Sequence, residues 1–159
     1  MKKRQVNSFL VIIVSIAVAI FITQILEALG YFAFSRDLVE EISALNGDAA
    51  KEAYSGMLDR MSFWGKISII IAWLLGVMSG GFVSSLMSAT NKVFHAKMVG
   101  YIYLFFTIMT LLNIPHPWWM WLSVFLIIPA SFMGSSFIPA KAKDPDEPEI
   151  IEPRVKDSE

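Results

Sequence analysis

The chain contains no cysteine. No disulfide frame, thiol redox centre or thiolate-ligated metal can form, which excludes disulfide-bonded four-span families and thiol-dependent quinone reductases. Charge is scarce too. Asp, Glu, Lys and Arg make up 17% of the 159 residues, where a soluble domain carries about 25%. Histidine occurs only as His95 and His116, far apart in the chain, which is too little for a zinc site. There is no Gly-rich phosphate loop, no HExxH, no Ser-His-Asp order with supporting turns, and no pair of carboxylates within an apolar run. A net charge of −1 provides no electrostatic footprint for nucleic acid. The chain is therefore expected not to be an enzyme, and to hold no cofactor and no metal.

What it has is apolar sequence in long blocks. Hydrophobic residues make up 55% and mean hydropathy is +0.57. Residues 8–26 carry no charge, a run longer than the 7–15 residues of a signal-peptide core, so it reads as a first span. Residues 67–88 form a second, entered by Trp64 and Lys66. Residues 98–112 are the body of a third. Asn113-Ile114-Pro115-His116-Pro117 is a turn, its prolines disfavouring helix before them. Trp118, Trp119 and Trp121 then lead into a fourth span. The predicted fold is all-α: a four-transmembrane-helix bundle over residues 1–138, with spans of about 8–29, 66–88, 96–113 and 118–138. Residues 31–64 are its one sizeable loop. Two short helices are expected there, one with Leu38, Val39, Ile42 and Leu45 on a face. The other is capped by Asp48 and has Ala50, Ala53, Tyr54, Met57, Leu58 and Met61 on its apolar side. They should lie on the membrane or cover the bundle mouth. The tail, 139–159, has four prolines, four basic and seven acidic residues, a composition expected to be disordered.

Lysine and arginine near span ends set orientation. Residues 2–4 supply three, the 89–97 connection two (Lys92, Lys97), and the start of the tail two (Lys141, Lys143). All fall on one side of a four-span chain. Both termini are therefore expected in the cytoplasm, with the acidic loop and tryptophan-rich turn outside.

Within the second span, small residues recur every fourth position: Ala72, Gly76, Gly80, Ser84, Ser88. On a helix they form one groove in which another helix can approach closely. Ala130 and Gly134, after Pro129, repeat the spacing in the fourth span, and Ala96 and Gly100 in the third. Ser84, Ser85, Ser88, Thr107 and Thr110 read as hydroxyls bonded to the preceding helical turn.

Glu27 is the one acid within a span. It ends the apolar run, where an interfacial acid paired with Lys66 is expected; proton coupling would want it nearer the midplane. Gln24 lies one turn below on the same face. Gln24, Glu27, Lys66, Asn113 and His116 together are the candidate outer polar cluster. His95 is expected to add to the basic connection inside.

The series Ala72-Trp73-Leu74-Leu75-Gly76-xxx-Gly80-Gly81-Phe82-Val83, His95-Ala96-xxx-Gly100, Asn113-Ile114-Pro115-His116-Pro117-Trp118-Trp119 and Ile128-Pro129-Ala130-xxx-Gly134 resembles a group of uncharacterised bacterial four-span inner-membrane proteins. The resemblance covers most of residues 10–137 and rests on the order and spacing of the motifs. It implies a bacterial plasma membrane and no particular activity. The leading expectation is a small structural or accessory membrane protein acting through helix packing. It would be embedded in the lipid bilayer, with a membrane-protein partner or a homo-oligomer as its contact and no nucleic acid. The alternative is a small-solute or proton-coupled transporter acting as an oligomer, with the polar cluster at its outer mouth.

Overall fold

The computed structural model describes residues 7–88, 92–114 and 116–138, apart from the side chains of Lys51, Tyr54 and Ser55. The basic cluster at 2–4, residues 89–91, Pro115 and the tail at 139–159 lie outside the described residues, as does Tyr54's place on its helix face.

Among the described residues six α-helices follow in order: α1 (Ser8–Phe34), α2 (Arg36–Ser43), α3 (Gly47–Arg60), α4 (Phe63–Met87), α5 (Lys92–Asn113) and α6 (Val124–Ser136). A 3₁₀ turn, Trp118–Ser123, leads directly into α6. No strand occurs among the described residues. α1, α4, α5 and the Trp118–Ser136 stretch are each long and apolar enough to cross a membrane.

The ends of these helices have local causes. Asn7 accepts the Phe9 amide and starts α1; Ser62 accepts the Gly65 amide and starts α4. Both satisfy donors that a helix N-terminus leaves over. Two expected boundaries are corrected. α1 runs through Gly30 to Phe34, because Gly30 packs directly on Ser68 of α4 and tertiary contact outweighs its low helix propensity. α5 begins at Lys92, so part of the basic connection is its first turn. At Ser35 the chain breaks sharply. Its amide still donates to Tyr31 in α1, while its carbonyl accepts Val39 in α2.

α4 packs against α1, α6 and α5, most extensively against α1. α5 also touches α1 and α6, so α1 and α6 occupy opposite corners of a rhombus whose short diagonal is α4 and α5. The small residues set these distances. A Cβ on Gly76 would strike the Thr23 side chain and the Ala19 carbonyl of α1. One on Gly80 would lie 2.9 Å from both the Ala19 Cβ and the Ser15 carbonyl oxygen, and 3.1 Å from Val99 of α5. On the other side of α4, Gly81 abuts the Ser131 carbonyl, and Gly134 of α6 abuts the Met78 carbonyl. The Ser131 hydroxyl donates to the Ala96 carbonyl across the α5/α6 contact at 2.7 Å. The close approach in α6 thus runs through Ser131 and Gly134, three residues apart; Ala130 is half-buried beside it. Ala72, Ser84 and Ser88 are buried in the same α4 row.

α2 and α3 roof one end of the bundle. Ile42, Met57, Leu58 and Met61 are buried with the core. Helices of 8 and 14 residues are marginal alone in water. Burying each of these side chains contributes about 1.5–3 kcal/mol, enough to hold the roof down. Leu45, expected on that face, falls beyond the end of α2 and is exposed. Arg60 donates two hydrogen bonds to Glu41 (3.0 and 2.5 Å), tying α3 to α2. This guanidinium holds the Glu41 carboxyl below its ordinary range. At the opposite end His95 is corrected from a surface base to a buried group, whose Nδ1 lies 2.9 Å from the Ser88 hydroxyl.

Candidate functional site

α1 presents Val11, Ser15, Ala19 and Thr23 on one stripe, all buried. Of these, Ser15, Ala19 and Thr23 meet Gly76 and Gly80. Four residues on, the next member of the stripe is Glu27. Its carboxylate therefore points toward α4 rather than away from the protein, an outcome of the 3.6-residue helical period. Glu27 Oε1 accepts the indole N–H of Trp73 at 2.6 Å, and Oε2 accepts the Gln24 amide at 3.3 Å.

The pairing with Lys66 is corrected. Lys66 lies seven residues, or about 10 Å, nearer the start of α4 than Trp73, and among the described residues no ion pair joins it to Glu27. The depth of Glu27 changes with that. α1 continues seven residues beyond it, about 10 Å, and Trp73 is the eleventh residue of α4, about 15 Å from its start. The apolar run ends at Leu26, but the packed helix does not.

Below Glu27, Thr23 joins α1 to α5. The Thr23 hydroxyl donates to the Ala19 carbonyl at 2.8 Å. Its single proton is thereby used, so the Tyr103 hydroxyl, 2.6 Å away, is the donor in their shared bond. Above this contact α1 and α5 both line a cavity of about 880 Å³. Trp73 and Ile69 of α4 form its back wall. Val39, Met57, Leu58 and Met61 of the roof close it from above. Ala28 and Phe32 of α1 and Thr110 and Asn113 of α5 are cavity-lining yet exposed, so the cavity opens on the flank between α1 and α5.

His116 enters from the turn before the 3₁₀ segment. Its Nδ1–H donates to the Ile114 carbonyl at 2.6 Å, which leaves Nε2 as the acceptor of the neutral ring. Its ring centroid is 6.0 Å from that of Trp73. Burial pushes its pKa below the ordinary 6.5, so the ring is uncharged at pH 7. Asn113 turns its amide back to the Met109 carbonyl at 2.7 Å. Arg36 lies over the Phe32 ring, 5.3 Å from its centroid, and donates to Glu40 at 2.8 Å.

Of the expected polar cluster, Glu27, Asn113 and His116 line the cavity, Gln24 lies outside the lining but bonds to Glu27, and Lys66 lies outside it. Trp73 and Arg36 are the members that sequence reasoning missed. Trp73 carried a signal: it sits well inside an apolar span, away from the interfacial level where tryptophan concentrates, and a buried indole N–H needs an acceptor. No group of three potential metal ligands occurs among the described residues. No protein-family model, curated protein or solved structure matches the chain.

Proposed function

We propose that the chain is a multi-pass protein of a bacterial plasma membrane, with both termini cytoplasmic. It acts as an accessory binding protein that holds a small amphipathic molecule in the cavity between α1, α5 and the roof. The observation that carries this reading is the cavity itself. Its volume of about 880 Å³ lies in the range of small-molecule sites, roughly 300–1,000 Å³. Like such sites, it is mostly apolar with a few convergent polar groups. The flank opening suits a ligand delivered from the outer leaflet. The small-residue row of α4 is buried, Gly76 and Gly80 against α1 and Gly80 also against α5, so an interface built on that row plays no part here. Contact with a second membrane protein or a second copy would use the exposed apolar faces instead.

The test uses full-length protein in phosphatidylcholine nanodiscs and a neutral dansyl-labelled dodecyl amide. Energy transfer from tryptophan to dansyl should saturate at one probe per chain above the partitioning seen in empty discs, and dodecanol should displace it. Ala28→Trp, which fills the rim of the opening from an exposed helix position, should remove the saturable part. Transfer that only tracks probe in the lipid, equal in wild type and Ala28→Trp, would overturn the proposal.

A further inference from the structure

We infer that the ligand of this cavity carries a protonated amine, held by the Glu27 carboxylate with its chain lying under the α2–α3 roof. The inference rests on the binding reading above and specifies its chemistry. Glu27 receives two hydrogen bonds, both from neutral donors: the Trp73 indole and the Gln24 amide. A carboxylate offers about four lone-pair sites, so it can accept further donors. The other charges lining the cavity cancel. Arg36 is bonded to Glu40, and His116 is neutral at pH 7. The remaining acidic group among the described lining residues is Glu27, and as a carboxylate it makes the cavity complementary to a single positive head group.

The aromatic surroundings agree with this. Trp73 lines the cavity and touches Glu27, with the His116 ring beside it. The indole donates from its ring edge, so Trp73 gives a cation on this carboxylate an apolar wall that excludes water and not a ring face; cation–face contacts do occur elsewhere in the lining. Arg36 over Phe32 is already such a contact in the same lining. A carboxylate ligand would meet Glu27 as a like charge. An alcohol could donate one hydrogen bond but bring no charge.

The experiment is displacement of the neutral dansyl probe by three twelve-carbon ligands: dodecylammonium, dodecanol and dodecanoate. Zwitterionic lipid keeps the disc surface from concentrating either ion. Dodecylammonium should displace the probe about tenfold or more tightly than dodecanol, the lower end of what a hydrogen bond to a charged group is worth. Dodecanoate should be the weakest. Glu27→Gln should reduce the amine-to-alcohol ratio to within about twofold, with its thermal transition recorded to confirm folding. The wild-type comparison stands without that variant. If dodecanol or dodecanoate displaces the probe as well as the amine does, the inference is wrong while the binding reading survives. A tenfold preference persisting in folded Glu27→Gln also refutes it. If the probe never binds saturably, the binding reading itself has failed.

Discussion

Replacing Gly81 by alanine tests whether α4 and α6 touch backbone to backbone. The added Cβ would strike the Ser131 carbonyl oxygen, with the carbonyl carbon at 2.9 Å and Cα at 3.1 Å. Ordinary van der Waals contact begins near 3.4 Å, so the carbonyl carbon alone requires a shift of 0.5 Å. The three nearest atoms are all backbone, so no rotamer change can relieve the clash. The helices must part, and the Ser131–Ala96 hydrogen bond of 2.7 Å is stretched with them. Overpacking of this kind costs about 1–3 kcal/mol, and the upper part of that range applies here. Alanine returns at most about 1 kcal/mol in helix propensity. The net destabilisation is then about 1–2 kcal/mol, which lowers Tm by about 2–8 °C for a chain of this size. Gly56→Ala is the matched control. It lies inside α3 with nothing within 4 Å of the added Cβ, so it should be neutral or stabilising by up to about 1 kcal/mol. Tryptophan fluorescence melting of both variants in dodecylmaltoside decides the matter. A Gly81→Ala protein that melts at or above wild type would refute the backbone contact. Equal losses in both variants would show that position is irrelevant.

Other outcomes follow from the site. Trp73→Phe keeps the ring but removes the indole donor, leaving the Glu27 carboxylate with one partner fewer; it should cost about 1–3 kcal/mol by denaturant titration, and a variant as stable as wild type contradicts the bond. His116 has a folded-state pKa below the ordinary 6.5. As pH falls, the unfolded chain takes up this proton first, so the stability contribution is full above 6.5 and is lost as pH drops from there through the folded value. Melting between pH 7.5 and 5.5 should therefore show a decline that is shallower in His116→Gln; identical slopes would remove His116 as its source. Ile42→Ala opens a hole under the roof worth about 2–5 kcal/mol. Hydrogen exchange should accelerate across residues 36–60 and leave 63–87 protected; uniform acceleration would mean that the roof and bundle unfold together.

The helices were legible because lipid-crossing length and charge-free composition leave few alternatives. The spacing of Ile42, Met57, Leu58 and Met61 likewise marked two amphipathic helices, but left open whether they lie on the membrane or cover the bundle mouth. The site was less legible, and the reason is local. Glu27 was placed by where the apolar run ends, a measure of composition. Its true surroundings follow from the stripe Ser15, Ala19, Thr23, which repeats in α1 the every-fourth spacing of α4 and carries Glu27 into the interface. Matching the two stripes turn by turn would have put Glu27 opposite Trp73, because Trp73 precedes Gly76 by three residues on the same face. Lys66 was chosen by charge, although it lies two turns too far along. His95 looked basic in a connection with Lys92 and Lys97, but the helix begins at Lys92 and turns the imidazole inward to Ser88. The cavity had no signature in sequence, since it arises from how far α1 and α5 separate above Thr23 and Tyr103.

The bond between Glu27 and Trp73 spans 46 residues, and that interval has a meaning during synthesis. At about 5–20 residues per second, Trp73 emerges roughly 2–9 s after Glu27. Throughout that delay the acid has only its same-helix neighbour Gln24 as a partner. The amide three residues away thus acts as a temporary escort for a polar group leaving the ribosome ahead of its final donor.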